Sequence, residues 1–174
     1  MHKLLIFPLI ILSLPTFSFD QKEAQTLASN LKKNLLSNVK EAMGKGGPTN
    51  AIGFCNTNAM ALTDKESTKN YSLSRTSLKV RNSNNTPTIE LKSYLNEFAK
   101  SSADQPMPDK VVTLKSGKRA LLSPLYMQPA CLVCHGEKIA APVSKLLKEL
   151  YPNDAATGYK AKEFRGFVVV SENE

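Results

Sequence analysis

Residues 131–135 read Cys131, Leu132, Val133, Cys134, His135, and this short run restricts the fold more than any other feature of the chain. Two thiols three positions apart, with an imidazole immediately after them, form the attachment signature of c-type haem. The thiols make thioethers with two porphyrin vinyl groups, and the histidine is held beneath the ring within reach of the iron. A chain built around such a segment has to enclose a porphyrin against it. Zinc half-sites, redox dithiols and disulfides also use two cysteines at this spacing, but none of them needs the adjoining histidine. The whole chain holds three Cys and two His. With His2 set aside as part of the amino-terminal segment, a four-ligand zinc site from Cys and His would have to draw in Cys55 as well.

The amino terminus removes one of those histidines. His2 and Lys3 begin a short basic region, residues 4–14 form an apolar run broken by Pro8, and Thr16 and Ser18 are small residues at cleavage spacing. This is the pattern of a secretory signal, with cleavage expected after Ser18. The apolar run is shorter than the roughly 20 residues that span a bilayer, so no stable membrane span is expected once the signal is gone. The expected organisation is a signal peptide over 1–18 and one domain over 19–174, placed in the periplasm. A chain of 174 residues is served by one hydrophobic core. Its 41% hydrophobic and 22% charged content excludes both disorder and a membrane-embedded body. The net charge of +8 gives a basic surface, which in an exported protein suits anionic membrane faces or acidic redox partners and not nucleic acid.

With His2 in the signal, His135 is the sole imidazole of the mature protein, and two-histidine ligation of iron within one chain is excluded. The sixth iron position falls to Met, Cys, Lys, an amine, water or nothing, and Met60, Met107, Met127 and Cys55 are candidates. Met is the usual choice in electron carriers. Cys55 is the odd third thiol in a compartment where cysteines pair. It reads as a small buried apolar residue, as one half of an intermolecular disulfide, or as a thiolate ligand that would lower the reduction potential.

Asp20 and Glu23 resemble a helix start, and Ala24, Leu27, Leu31, Leu35, Val39 and Met43 recur at helical spacing until Gly44. Residues 44–47 form a flexible break. Pro48 opens a second helix carrying Ile52, Cys55, Ala59 and Leu62 on one face. Residues 71–80 read as a strand with an irregularity, and an Asn-rich stretch follows over 82–85. Thr86 and Pro87 introduce a third helix with Ile89, Leu91, Tyr94, Leu95 and Phe98 on its apolar side. Val111, Val112 and Leu114, a polar turn over 115–118 and residues 120–122 make the clearest β-hairpin. A short helix over 143–150 and a closing strand over 167–170 complete an α+β pattern with a small antiparallel sheet.

Arg75 and Arg81 are six apart, and on one strand that spacing puts both on one face, where they read as an ordinary exposed pair or as partners for haem propionates. Arg165 is a third candidate. Tyr126, Met127 and Pro129 read as apolar packing beside the ring.

Residues 51–59 around Cys55, then Leu73, Ser74 and Arg75, then Arg81, Asn82, Asn85 and Pro87 form a first group of motifs. The run C-L-V-C-H-G at 131–136 and the tail Tyr151, Pro152, Asp154, Ala156, Gly158, Tyr159, Arg165, Gly166 complete them. In this order, over nearly the whole mature chain, they resemble the PAS-like c-type haem domain family of free-standing periplasmic proteins and receptor sensor domains. The resemblance implies a PAS-like antiparallel sheet flanked by helices with an N-terminal helix. It also implies one covalent haem c, with His135 as proximal and Cys55 as distal ligand. The chain ends at Glu174 without a receptor's membrane or output segment, so signalling would use a separate protein. The expected role is redox or small-gas sensing, or low-potential electron transfer with a redox partner protein, without catalytic residues. A His/Met-ligated electron carrier is the competing expectation. A peroxidase-type enzyme would need a distal acid or base, and no histidine remains to supply it.

Overall fold

The computed structural model describes residues 18–173. The expected signal peptide, and His2 with it, lies outside the described residues apart from Ser18. Helix α1 (Gln21–Lys65) opens with Asp20, whose carboxylate accepts the N–H groups of Lys22 at 2.8 Å and Glu23 at 3.1 Å. This satisfies donors that a helix start leaves open. The helix is interrupted at Gly46 and Gly47. Gly47, at φ 70° and ψ −165°, occupies backbone space that is essentially closed to other residues. Pro48 restarts the helix where its missing N–H costs nothing, and the Asn50 side chain donates to the Ala42 carbonyl at 2.8 Å across the break. The two helices expected from the sequence are thus the two arms of one kinked element.

Strand β1 (Tyr71–Thr76), helix α2 (Ile89–Phe98), strands β2 (Lys110–Thr113) and β3 (Arg119–Tyr126), helices α3 (Leu132–His135) and α4 (Ala141–Leu150) and strand β4 (Phe164–Glu172) follow. The four strands form one antiparallel sheet in the order β1-β4-β3-β2. Alternation along β4 divides the core. Val168 and Val170 pack with Leu73, Leu121, Ala28 and Leu31 under the first arm of α1, while Phe167 and Val169 pack with Leu95 and Phe98 under α2. Because both faces of β4 are covered, its run of apolar residues does not alternate with polar ones. The second arm of α1 packs through Ile52 against Val143 and Leu147 of α4. No helix among the described residues is long and apolar enough to cross a membrane.

The α+β expectation is borne out, with two boundary corrections. The first strand ends at Thr76, not at residue 80, because the Ser77 hydroxyl meets the Arg165 carbonyl at 2.7 Å and accepts the Lys79 N–H at 3.2 Å, bending the chain away from the sheet. The last strand extends to Phe164–Glu172, beyond the expected 167–170, since pairing with strands on both sides carries it past its apolar stretch.

Gly166 makes the crossing of these strands fit. Its φ is 150°, and a Cβ there would sit 2.2 Å from the Thr76 carbonyl oxygen. Gly47→Ala is expected to cost about 1–3 kcal/mol from backbone strain. Gly166→Ala should cost more, because about 1–3 kcal/mol of overlap adds to a similar strain. Urea unfolding midpoints check the order: a Gly166→Ala protein as stable as Gly47→Ala would contradict it.

Candidate haem site

A cavity of about 480 Å³ opens between the two arms of α1, the ends of β1 and β4, and the segment around α3. Its size lies within the roughly 300–1,000 Å³ of cofactor pockets. Leu35, Leu36, Val39 and Met43 line it from the first arm of α1, and Ile52, Cys55 and Ala59 from the second. Cys131, Cys134 and His135 line it from the opposite end of the sequence, as do Arg75, Arg81 and Arg165. The attachment cysteines, His135, Cys55 and the three arginines expected from the sequence therefore meet at one cavity.

The short helix α3 follows a tight turn over Pro129–Cys131. One helical turn places Cys131 and Cys134 on the same side, and His135 comes next. All three cysteines are free thiols. The segment is tied down from behind: the Tyr159 N–H donates to the His135 carbonyl and the Gly158 N–H to the Gly136 carbonyl, both at 3.0 Å. His135 Nδ1 lies 2.6 Å from the Ala156 carbonyl oxygen. A carbonyl only accepts, so Nδ1 carries the proton and Nε2 keeps its lone pair for a metal. Burial foremost, then the positive charges of Arg81 and Arg165, hold the histidine pKa down at about 3. The ring is neutral, the form that ligates.

The three arginines have different parts. Arg81 Nε pairs with Asp154 Oδ2 at 2.9 Å, and its Nη2 donates to the Cys134 carbonyl at 2.6 Å. Asp154 in turn accepts the Ala156 N–H at 2.8 Å. Arg81 is thus a clamp on the attachment segment, and it does not share a strand with Arg75, because β1 ends at Thr76. Arg165 Nη1 donates to the Ser77 hydroxyl at 2.6 Å and the Lys79 carbonyl at 3.0 Å. Arg75 Nη2 donates to the Ala59 carbonyl at 3.1 Å, but its Nε is buried with no hydrogen-bond partner. A buried donor left open costs about 1–3 kcal/mol. An anionic group in the cavity would remove that cost, and haem propionates are such groups. The orphaned donor, the two thiols and the free imidazole nitrogen fit a covalent haem.

Burial pushes the Cys55 thiol up, against the opposing pull of Arg75 and Arg81. Of the methionines expected as alternatives, none lines the cavity. Met60 Sδ lies 3.7 Å from Arg75 Nη2, Met107 packs on the α2 side of the sheet, and Met127 is buried with its backbone bonded to residues 162 and 163. Met43 lines it and was missed, although its spacing with Leu35 and Val39 marked the same helix face. Lys32 was also missed, because a lysine on an apolar face gives no local signal. Tyr126 is turned to the α2 side, its hydroxyl accepting the Met107 N–H at 3.0 Å, and neither it nor Met127 or Pro129 is part of the cavity wall, where Leu125 and Ala130 stand instead. Among the described residues no three His, Cys, Asp or Glu side chains gather as a metal-holding group.

No curated protein matches the chain. Its structure is similar to the crystal structure of the cyanobacterial haem protein Tll0287, at a TM-score of 0.57 and 21% identity, over 88% of this chain and 96% of that one. Identity at that level speaks for the fold. The family described as Tll0287-like matches residues 18–172, which bears out the family resemblance read from the sequence. By that match the chain belongs to the Tll0287-like family.

Proposed function

We propose that this protein is an exported c-type cytochrome domain holding one haem, bonded through Cys131 and Cys134. His135 is the proximal iron ligand and Cys55 the distal one. The observation that carries the reading is the single cavity that Cys131, Cys134, His135 and Cys55 all line. The similar cyanobacterial structure is that of a haem protein, which supports the reading. Bound there, the group supplies one-electron chemistry and, when a ligand leaves, a site for a small gas.

The residues of the chain set how that chemistry is used. Ala156 holds the His135 tautomer, and Arg81 with Asp154 fixes the segment that carries both thioethers. Arg75 meets a propionate with its open donor. Cys55 as thiolate favours ferric iron and a low potential, and its position among apolar residues raises the cost of keeping that charge whenever it is not bound to metal. The role that follows is redox or small-gas sensing, or low-potential electron transfer, in the periplasm. It involves a separate redox or signalling protein and no turnover of substrate.

A second reading has one observation in its favour. Met43 lines the same cavity, so a His135/Met43 electron carrier of higher potential is the alternative. The ferric optical and near-infrared spectra of Cys55→Ala and Met43→Leu separate the two. Thiolate charge-transfer features lost only in Cys55→Ala are the expected result. A long-wavelength thioether band lost only in Met43→Leu would establish the alternative. Carbon monoxide or nitric oxide should bind the ferrous protein, and failure of both would remove the gas-sensing branch.

A further inference from the structure

Lys32 sits on the first arm of α1 among apolar residues of the cavity wall. Its ammonium donates to the Ser123 hydroxyl at 2.7 Å and to the Pro124 carbonyl at 2.9 Å. Ser123, on β3, is only 3% exposed, and its hydroxyl donates in turn to Asp109 Oδ1 at 2.6 Å. A continuous hydrogen-bonded chain therefore runs from the cavity wall, through the sheet, to a carboxylate ahead of β2. An ammonium has three donors, and the socket takes two. Nothing in the haem attachment described above uses this chain. A lysine is a costly way to hold a helix on a sheet when an apolar side chain would pack there instead.

We propose that Lys32, Ser123 and Asp109 form a proton site linked to the redox state of the haem. The inference rests on the haem reading of the preceding section. Lys32 as the free amine would take up one proton from solvent, becoming the ammonium, when a haem held in the cavity is reduced by one electron from an external one-electron donor. The proton would balance the charge of the added electron. The added electron favours the ammonium over the amine, most strongly where water is excluded. The reduced protein therefore binds the proton more tightly, and the potential falls as pH rises between the two Lys32 pKa values.

Burial holds the lysine pKa below its usual 10.5, with the Asp109 charge acting in the other direction. The other charged or titratable groups that line the cavity are Lys40 on the same helix, Cys55 on its second arm, Arg75 on β1, Arg81 in the loop after it, His135 on α3, Tyr151 after α4 and Arg165 on β4. The three arginines stay protonated throughout any working range.

The test is spectroelectrochemical titration of the full haem-loaded protein across pH, for the wild type, Lys32→Arg and Asp109→Asn. The wild-type potential should fall by about 59 mV for each tenfold drop in proton activity at its steepest, in a window below the ordinary lysine range. Lys32→Arg keeps the charge and the tether but cannot release its proton, so its potential should be flat. Asp109→Asn removes the charge that raises the lysine pKa, so the window should move to lower pH. A purely structural tether would leave the pH profile of Lys32→Arg the same as that of the wild type. A pH-independent wild-type potential, or a slope that survives in Lys32→Arg, overturns the proposal. Protein that cannot be loaded with haem removes this inference together with the haem reading, whereas haem-loaded protein with a flat potential removes this inference alone.

Discussion

The ion pair between Arg81 and Asp154 joins the parts of this protein that have to meet at one place. The two side chains are 13% and 8% exposed, and each has a second task. Arg81 also holds the Cys134 carbonyl, while Asp154 also holds the N–H of Ala156, whose carbonyl receives His135. Through these few bonds the loop after β1, the attachment segment and the loop before β4 share one geometry. Burying such a pair adds little net stability, since desolvation offsets attraction. Removing one partner would strand the other charge at a cost of about 3–5 kcal/mol. The value of the pair lies in orienting Cys134 and His135 together.

Around that clamp the cavity wall is charged in one sense. Lys32, Lys40, Arg75, Arg81 and Arg165 line it, and no Asp or Glu does. Arg75 and Arg165 are both lowered in pKa, first of all by burial, a sign that this charge is held partly out of water. A neutral occupant would leave it uncompensated. An occupant bearing two carboxylates relieves it, and so does a thiolate at Cys55. Arg81, which helps to weaken the basicity of His135, also pulls the Cys55 thiol toward its anion, against the larger opposing effect of burial.

Much of this could be read from residue order alone, for identifiable reasons. The helices of α1 and α2 and the hairpin of β2 and β3 repeat apolar residues at 3.6 or 2 positions, and the break at Gly46 and Gly47 shows in composition. The attachment run is contiguous, so its chemistry is visible without the fold. The features that were not legible depend on contacts between distant residues. Arg81 finds Asp154 across 73 positions, and the clamp this makes has no local signal. The end of β1 is decided by Ser77 meeting Arg165 across 88 positions. Met43 shares a face with Leu35 and Val39, but only the kink at Gly47 makes that face and Cys55 line one cavity. Lys32 looks like a surface lysine until β3 is packed beneath it.

The central claim, that this chain carries one haem bonded through Cys131 and Cys134, is tested most directly by intact mass. The full chain would be produced in a host that matures c-type cytochromes and measured after denaturation. The account predicts a single population heavier than the polypeptide by one haem. It also predicts that the added mass disappears when Cys131 and Cys134 are both replaced by alanine. A denatured chain with the mass of the polypeptide alone, or an added haem that survives that double replacement, would contradict it.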